Sequence, residues 1–142
     1  MFKDVARPFL EHLKETIVQF YGDDPQKSAD YGRIVNDRHF DRLVRLLVSG
    51  TIYHGGQHDI ADRFIAPTVL VDVSPDSPVM QEEIFGPILP ILEVGHVNEV
   101  IDFVNARTSP LGLYLFAEDR SVTEQILAST TSGAAVVNDC TI

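Results

Sequence analysis

Cysteine occurs once in this chain, at Cys140, and tryptophan not at all, among 142 residues. A lone cysteine excludes an internal disulfide and a cysteine-built zinc cage, and it agrees with a reducing compartment. Basic residues are scarce as well: 11 Lys and Arg stand against 21 Asp and Glu, for a net charge of −10. So acidic a chain repels phosphate backbones, and nucleic acid is excluded as an expected partner. Only Arg38, Arg42 and Arg45 gather, on one expected helix, where the pattern reads as a solvated charged face. No run approaches the roughly 18 apolar residues of a membrane span. The opening residues, Met1-Phe2-Lys3-Asp4-Val5-Ala6-Arg7-Pro8, hold no apolar stretch of the kind a secretory leader needs. A cytoplasmic location is the expectation.

What is present suits a folded α/β segment. Apolar residues make up 44% of the chain, and the length suits one domain with a core of its own. No repeat or low-complexity stretch interrupts it. Asp4 is placed to cap a helix with Val5, Phe9, Leu13, Ile17 and Phe20 on its inward face. Asn36 is placed to cap a second, with Phe40, Leu43, Val44, Leu47 and Val48 inward and Gly50 just past its end. Strands are expected at 51–54, 64–73, 88–94, 113–117 and 133–138. Pro67 and Pro90 mark edges or bulges within two of them. Residues 97–107 read as a helix with Val97, Val100, Ile101 and Val104 inward. Ser121-Val122-Thr123-Glu124 reads as a capping box opening the last helix. Strands separated by helices of this length imply crossover units and a mostly parallel sheet.

The densest constellation is Gln81-Glu82-Glu83-Ile84-Phe85-Gly86-Pro87. In extended backbone successive side chains point oppositely, so Glu82 and Glu83 cannot both face one site. One can reach a ligand while the other meets solvent or an ion-pair partner. A carboxylate beside an aromatic, with a glycine allowing close backbone approach, suits a ribose joined to a flat ring, because carboxylates accept hydrogen bonds from vicinal hydroxyls. The same residues also suit a surface loop whose Phe85 plugs a core gap. Other groupings are weaker. His54 and His58 are four apart, but Gly55-Gly56 breaks any helix that would bring them together on a metal. Neighbouring acids such as Glu82 and Glu83 do not straddle a scissile bond as a two-carboxylate hydrolase requires.

The 81–87 run, together with Phe64-Ile65-Ala66-Pro67-Thr68-Val69-Leu70, Ile88-Leu89-Pro90-Ile91, Asp30-Tyr31-Gly32-Arg33-Ile34-Val35 and Ser132-Gly133 with Val137-Asn138-Asp139, resembles the aldehyde dehydrogenase superfamily, in its class 3 branch. The resemblance runs from about Phe2 to Cys140. It implies an NAD- or NADP-dependent oxidation of aldehydes to carboxylic acids. Carried over position by position, Glu83 holds the nicotinamide ribose hydroxyls and Phe85 packs beside the nicotinamide ring. Glu82 is then left for a structural contact. The resemblance also implies that the nucleophilic cysteine, the general-base glutamate and the dinucleotide-binding domain lie ahead of the matched segment.

On that basis residues 1–142 form a single incomplete segment of the catalytic domain, α/β in class and truncated at both ends. No residue of it is catalytic or a metal ligand, and the segment by itself is inactive. Cys140 does not stand where the family places its nucleophile, and it reads as a buried or terminal small hydrophobe. Asn138 and Asp139 are expected to shape the end of the last strand near the substrate mouth. Gly133-Ala134-Ala135 departs from the paired glycines of relatives. The parent enzyme is expected to be a homodimer acting on an aldehyde. The alternative is a short non-catalytic product that docks onto an intact subunit through exposed sheet edges and apolar faces.

Overall fold

A computed structural model describes residues 1–140. The chain divides into two compact units, Met1 with Lys3–Glu93 and Phe2 with Val94–Ile142, and each is taken by itself.

In the first unit, α1 spans Lys3–Tyr21. Its buried residues are Ala6 and Leu10, while Val5, Phe9 and Phe20 are exposed and Leu13 and Ile17 half-buried. The helix was expected with a different inward face. Ala6, Leu10, Leu13 and Ile17 form a second apolar row at helical spacing, and packing selected that row. Helix α2, Asp37–Leu46, begins where Asn36 Oδ1 accepts a hydrogen bond from the His39 amide at 2.9 Å, as the sequence implies. A 3₁₀ turn, Leu47–Ser49, then tightens the chain. The change of period from 3.6 to about 3 residues per turn carries Val48 out to solvent instead of inward.

Three strands form the main sheet: β1 (Thr51–His54), β4 (Thr68–Val71) and β5 (Ile88–Pro90), in the order β1-β4-β5. Strand β1 runs antiparallel to β4 with an irregularity between Ile52 and His54, and β5 runs parallel to β4, pairing Thr68 with Ile88 and Leu70 with Pro90. Pro90 therefore sits on an edge strand, where a missing amide is tolerated. The expected strand over 64–73 is two pieces. Short β3 (Phe64–Ile65) pairs antiparallel with β2 (His58–Asp59), and Pro67 separates β3 from β4. Phe40, Leu43, Leu46 and Leu47 pack on Ile65, Leu70, Val73, Val79 and Ile88, with Leu43 and Leu70 fully buried. The parallel pair β4–β5 needs a crossover. Here it is residues 72–87, whose regular structure is one 3₁₀ turn, Pro78–Met80. The 81–87 loop is the end of that crossover.

In the second unit, Phe2 forms a parallel bridge with Val94, followed by α3 (Val97–Asn105), β6 (Gly112–Leu115), α4 (Arg120–Ser129) and β7 (Ala134–Val137). Strands β6 and β7 are parallel, Gly112 opposite Ala134 through Leu115 opposite Val137, with α4 as the crossover. The expected inward residues of α3 are half-buried. The cap of α4 is Asp119 rather than Ser121: Asp119 Oδ1 accepts from the Ser121 amide at 2.8 Å. A carboxylate there satisfies a free amide and also meets the positive end of the helix dipole. Glu124, expected in the capping box, pairs with Arg120 at 2.7 Å. Among the described residues the α/β class and its crossover-linked parallel strands hold, in sheets that mix parallel and antiparallel pairs. No described helix is long and apolar enough to cross a membrane.

Candidate functional site

Helix α2 grips the 81–87 loop at alternate residues. Arg42 Nη1 donates to Glu82 Oε1 at 2.9 Å, and Arg42 Nη2 donates to the Ile84 carbonyl. The Ile84 side chain packs against the core cluster. Gly86 lies directly on Leu43: a Cβ built there would come within 2.5 Å of a Leu43 methyl. The loop exit is fixed by backbone, since the Thr68 amide donates to the Pro87 carbonyl at 2.8 Å. Residues 82, 84 and 86 thus face α2.

Glu83 and Phe85, which lie between them, are exposed. Glu83 is exposed, and among the described residues its carboxylate makes no hydrogen bond or ion pair. Phe85 is 74% exposed, so it does not plug the core; Ile84 does. Its backbone has φ +47, a left-handed conformation that costs a non-glycine residue roughly 1–2 kcal/mol. Strain of this kind persists where surrounding contacts over-determine it, and the anchors at 84 and 86 flank Phe85 directly. Of the three arginines read as a solvated face, Arg38 and Arg45 are exposed. Arg42 is only 21% exposed and is committed to the loop.

Hollows adjoin the loop on both sides of Tyr31. One of about 400 Å³ is lined by Arg33, Ile34, Val35, His39 and Phe85. Another, about 280 Å³, runs past Tyr31, Gly86 and Pro87 to Leu13 and Ile17 of α1. Tyr31 donates to the Ile65 carbonyl at 2.8 Å. Burial, with Tyr21 beside it, pushes its phenol well above the ordinary tyrosine range. That Arg33 and His39 share a hollow with Phe85 is invisible in the sequence, because no spacing rule links residues so far apart.

The remaining expected residues fall elsewhere. Asn138, at φ +54, lies just past β7. Its side chain accepts from the Ala117 amide at 2.9 Å and donates to the Ala117 carbonyl at 3.0 Å. It therefore imitates one more residue pair of the β6–β7 ladder and shapes the strand end. Cys140 is exposed, not buried. His54 and His58 lie on β1 and β2, separated by Gly55 and Gly56, both with positive φ. Among the described residues no group of three His, Cys, Asp or Glu side chains is placed to hold a metal ion.

A parallel crossover that ends in a loop braced by α2, with one exposed aromatic ring and one carboxylate that has no partner among the described residues, defines this α/β segment. The profile described as "Aldehyde dehydrogenase family" matches residues 2–142, and the chain belongs to that family. It is 49% identical over 135 residues to the Mus musculus aldehyde dehydrogenase, dimeric NADP-preferring, covering 95% of this chain and 30% of that protein. It is 53% identical over 136 residues to Homo sapiens aldehyde dehydrogenase family 3 member B1, covering 96% of this chain and 29% of that protein. The likeness to a family 3 member agrees with the class 3 resemblance. Among solved structures, the substrate-bound state of Staphylococcus aureus AldH superposes with a TM-score of 0.94 at 44% identity, over 99% of this chain and 31% of that one. The chain spans about 30% of the length of these relatives.

Proposed function

We propose that this chain is the part of an NAD(P)-dependent aldehyde dehydrogenase that presents the nicotinamide-ribose loop, within an enzyme that oxidises aldehydes to carboxylic acids. The observation that carries the reading is the bracing of 81–87: 82, 84 and 86 are held by α2 and the core, while Glu83 and Phe85 are exposed and, among the described residues, the Glu83 carboxylate has no hydrogen-bond or ion-pair partner. These residues fit a nicotinamide nucleotide. A free carboxylate accepts from both ribose hydroxyls, and an exposed ring on a braced backbone offers a flat apolar face. When bound, the nucleotide supplies a hydride acceptor. The chain's own part is orientation rather than bond-making. Glu83 fixes the ribose, and Phe85 limits the tilt of the ring beside it.

In the full-length enzyme, Glu83→Gln is expected to raise the cofactor KM about tenfold, the effect of weakening charge-assisted hydrogen bonds worth about 1.4 kcal/mol. Steady-state kinetics with saturating aldehyde check this, and an unchanged cofactor KM would sink the ribose assignment. The 142-residue chain by itself is expected to reduce no NAD or NADP in the presence of an aldehyde, because the family's nucleophile and base are read as lying outside it. Aldehyde-dependent absorbance at the reduced-nicotinamide wavelength from the pure chain would refute this.

A second reading, a short product that docks onto an intact subunit, is favoured by the exposed Val5, Phe9 and Phe20 on α1, since exposed apolar groups of this kind invite a partner. The mass of the native polypeptide separates the two. A mass far above 15.8 kDa supports the enzyme segment, and a mass near it supports the docking product. On the enzyme reading the parent is proposed to be a cytoplasmic homodimer; the dimeric NADP-preferring relative prompts the dimer.

A further inference from the structure

We propose that Arg42 is the positioning residue of this loop: by holding the two residues that bracket Glu83, it sets the direction of a carboxylate it does not touch. The inference rests on the assignment of Glu83 to the cofactor ribose.

The geometry is specific. One planar guanidinium reaches two acceptors on alternate residues, the Glu82 carboxylate through Nη1 and the Ile84 carbonyl through Nη2. The chain bends at Glu82 and forms no strand through Phe85, so pinning the Glu82 carboxylate and the Ile84 carbonyl fixes the chain on both sides of Glu83 and with it the direction of the Glu83 side chain. Arg42 is itself held. It precedes Leu43, the fully buried residue on which Gly86 rests, so the helix that carries the clamp also carries the core. Its side chain is 21% exposed, against 54% for Glu82, so this ion pair is less screened than a fully exposed one. Phe85 depends on the same clamp. Its left-handed backbone lies between Ile84 and Gly86, the two residues tied to α2. The fork matters as well as the charge. An ammonium at this position is a single compact donor group and does not reproduce two parallel bonds in fixed directions.

The test is a double-mutant cycle in the full-length enzyme, with dissociation constants for NADH and NADPH measured by fluorescence titration and with melting temperatures as the fold control. Glu83→Gln is expected to weaken binding about tenfold. Arg42→Met is expected to weaken binding by roughly five- to tenfold, and by less than about twofold when Glu83 is already Gln, because groups acting through one another are not additive. Arg42→Lys should fall between Arg42→Met and wild type. A merely structural role predicts a lower melting temperature, with losses in binding that add to those of Glu83→Gln; that outcome overturns the proposal. Weakening by Glu83→Gln with none from Arg42→Met overturns it also, while leaving the ribose assignment standing. No effect of Glu83→Gln removes the ribose assignment, and the positioning role falls with it. If Arg42→Met fails to fold, the cycle is run with Arg42→Lys, judged by the same additivity criterion.

Discussion

Leu43→Ala is expected to lower the stability of the first unit by roughly 3–5 kcal/mol, the upper part of the range for emptying a fully buried leucine site. Leu43 is 0% exposed and lies among Phe40, Leu46, Leu70 and Val79. Its other contact makes the result diagnostic. A Cβ at Gly86 would approach the Leu43 methyls at 2.5 and 2.6 Å and Cγ at 3.1 Å. Gly86→Ala alone should therefore cost about 1–3 kcal/mol through overpacking, since a buried leucine has no space to yield into. In the Leu43→Ala background the new methyl enters the space just vacated, and the cost of Gly86→Ala should vanish or reverse. Urea unfolding of the four proteins, followed by circular dichroism, gives the coupling energy directly. Additive losses would mean that the loop does not rest on α2 at Gly86. Glu83 and Phe85 would then be braced through Arg42 and Ile84 alone.

Gly55→Ala is expected to cost roughly 3–4 kcal/mol, combining a left-handed backbone penalty of about 1–2 kcal/mol with a clash that has no soft partner. Gly55 has φ +79, and a Cβ there would lie 2.1 Å from the Pro67 carbonyl oxygen and 3.0 Å from the Thr68 Cα. Both are backbone, so relief requires β1 to part from β4, the central strand of the sheet. The turn is also tied at Gly56, whose amide donates to Thr68 Oγ1 at 3.0 Å. Gly22 is the natural control. It has nearly the same conformation, φ +77, but nothing lies within 4 Å of a Cβ built on it. Gly22→Ala should therefore show the conformational cost alone, about 1 kcal/mol. Equal losses at the two glycines, measured by the same urea unfolding, would show that close approach to Pro67 contributes nothing.

Both predictions concern contacts that the sequence marks only in part. Gly86 reads as a close-approach residue and Gly55-Gly56 as a helix break, but which atoms they approach is set by strands and helices far along the chain. The α2 cap at Asn36 was legible because capping is local: one side-chain oxygen reaches an amide three residues on. The cap of α4 was missed by two residues, because Asp119 and Ser121 are both competent and only the backbone path decides between them. The inward face of α1 was misjudged because two apolar rows satisfy the same periodicity. Val48 was misplaced because a 3₁₀ turn changes the period within a helix that reads as continuous.

The loop shows the division most sharply. Adjacent acids beside an aromatic and a glycine are visible without a fold, so the sequence by itself marked Glu82 and Glu83 as residues that could not both serve one site. The motifs of 30–35, 64–70 and 81–91 carried the family for the same reason: they are contiguous runs whose order and identity are visible without a fold. What only the tertiary structure decided is which acid is held and which, among the described residues, has no partner. That choice depends on Arg42, 40 residues from Glu82 in the chain, which the composition of its helix marks as a solvated charge. The largely covered side chain of Arg42, next to Leu43, brings its guanidinium to two acceptors on residues 82 and 84, and leaves Glu83 and Phe85 exposed. Long-range packing is the physical reason, because a side chain's partner is fixed by where the core brings its backbone, not by its neighbours in sequence.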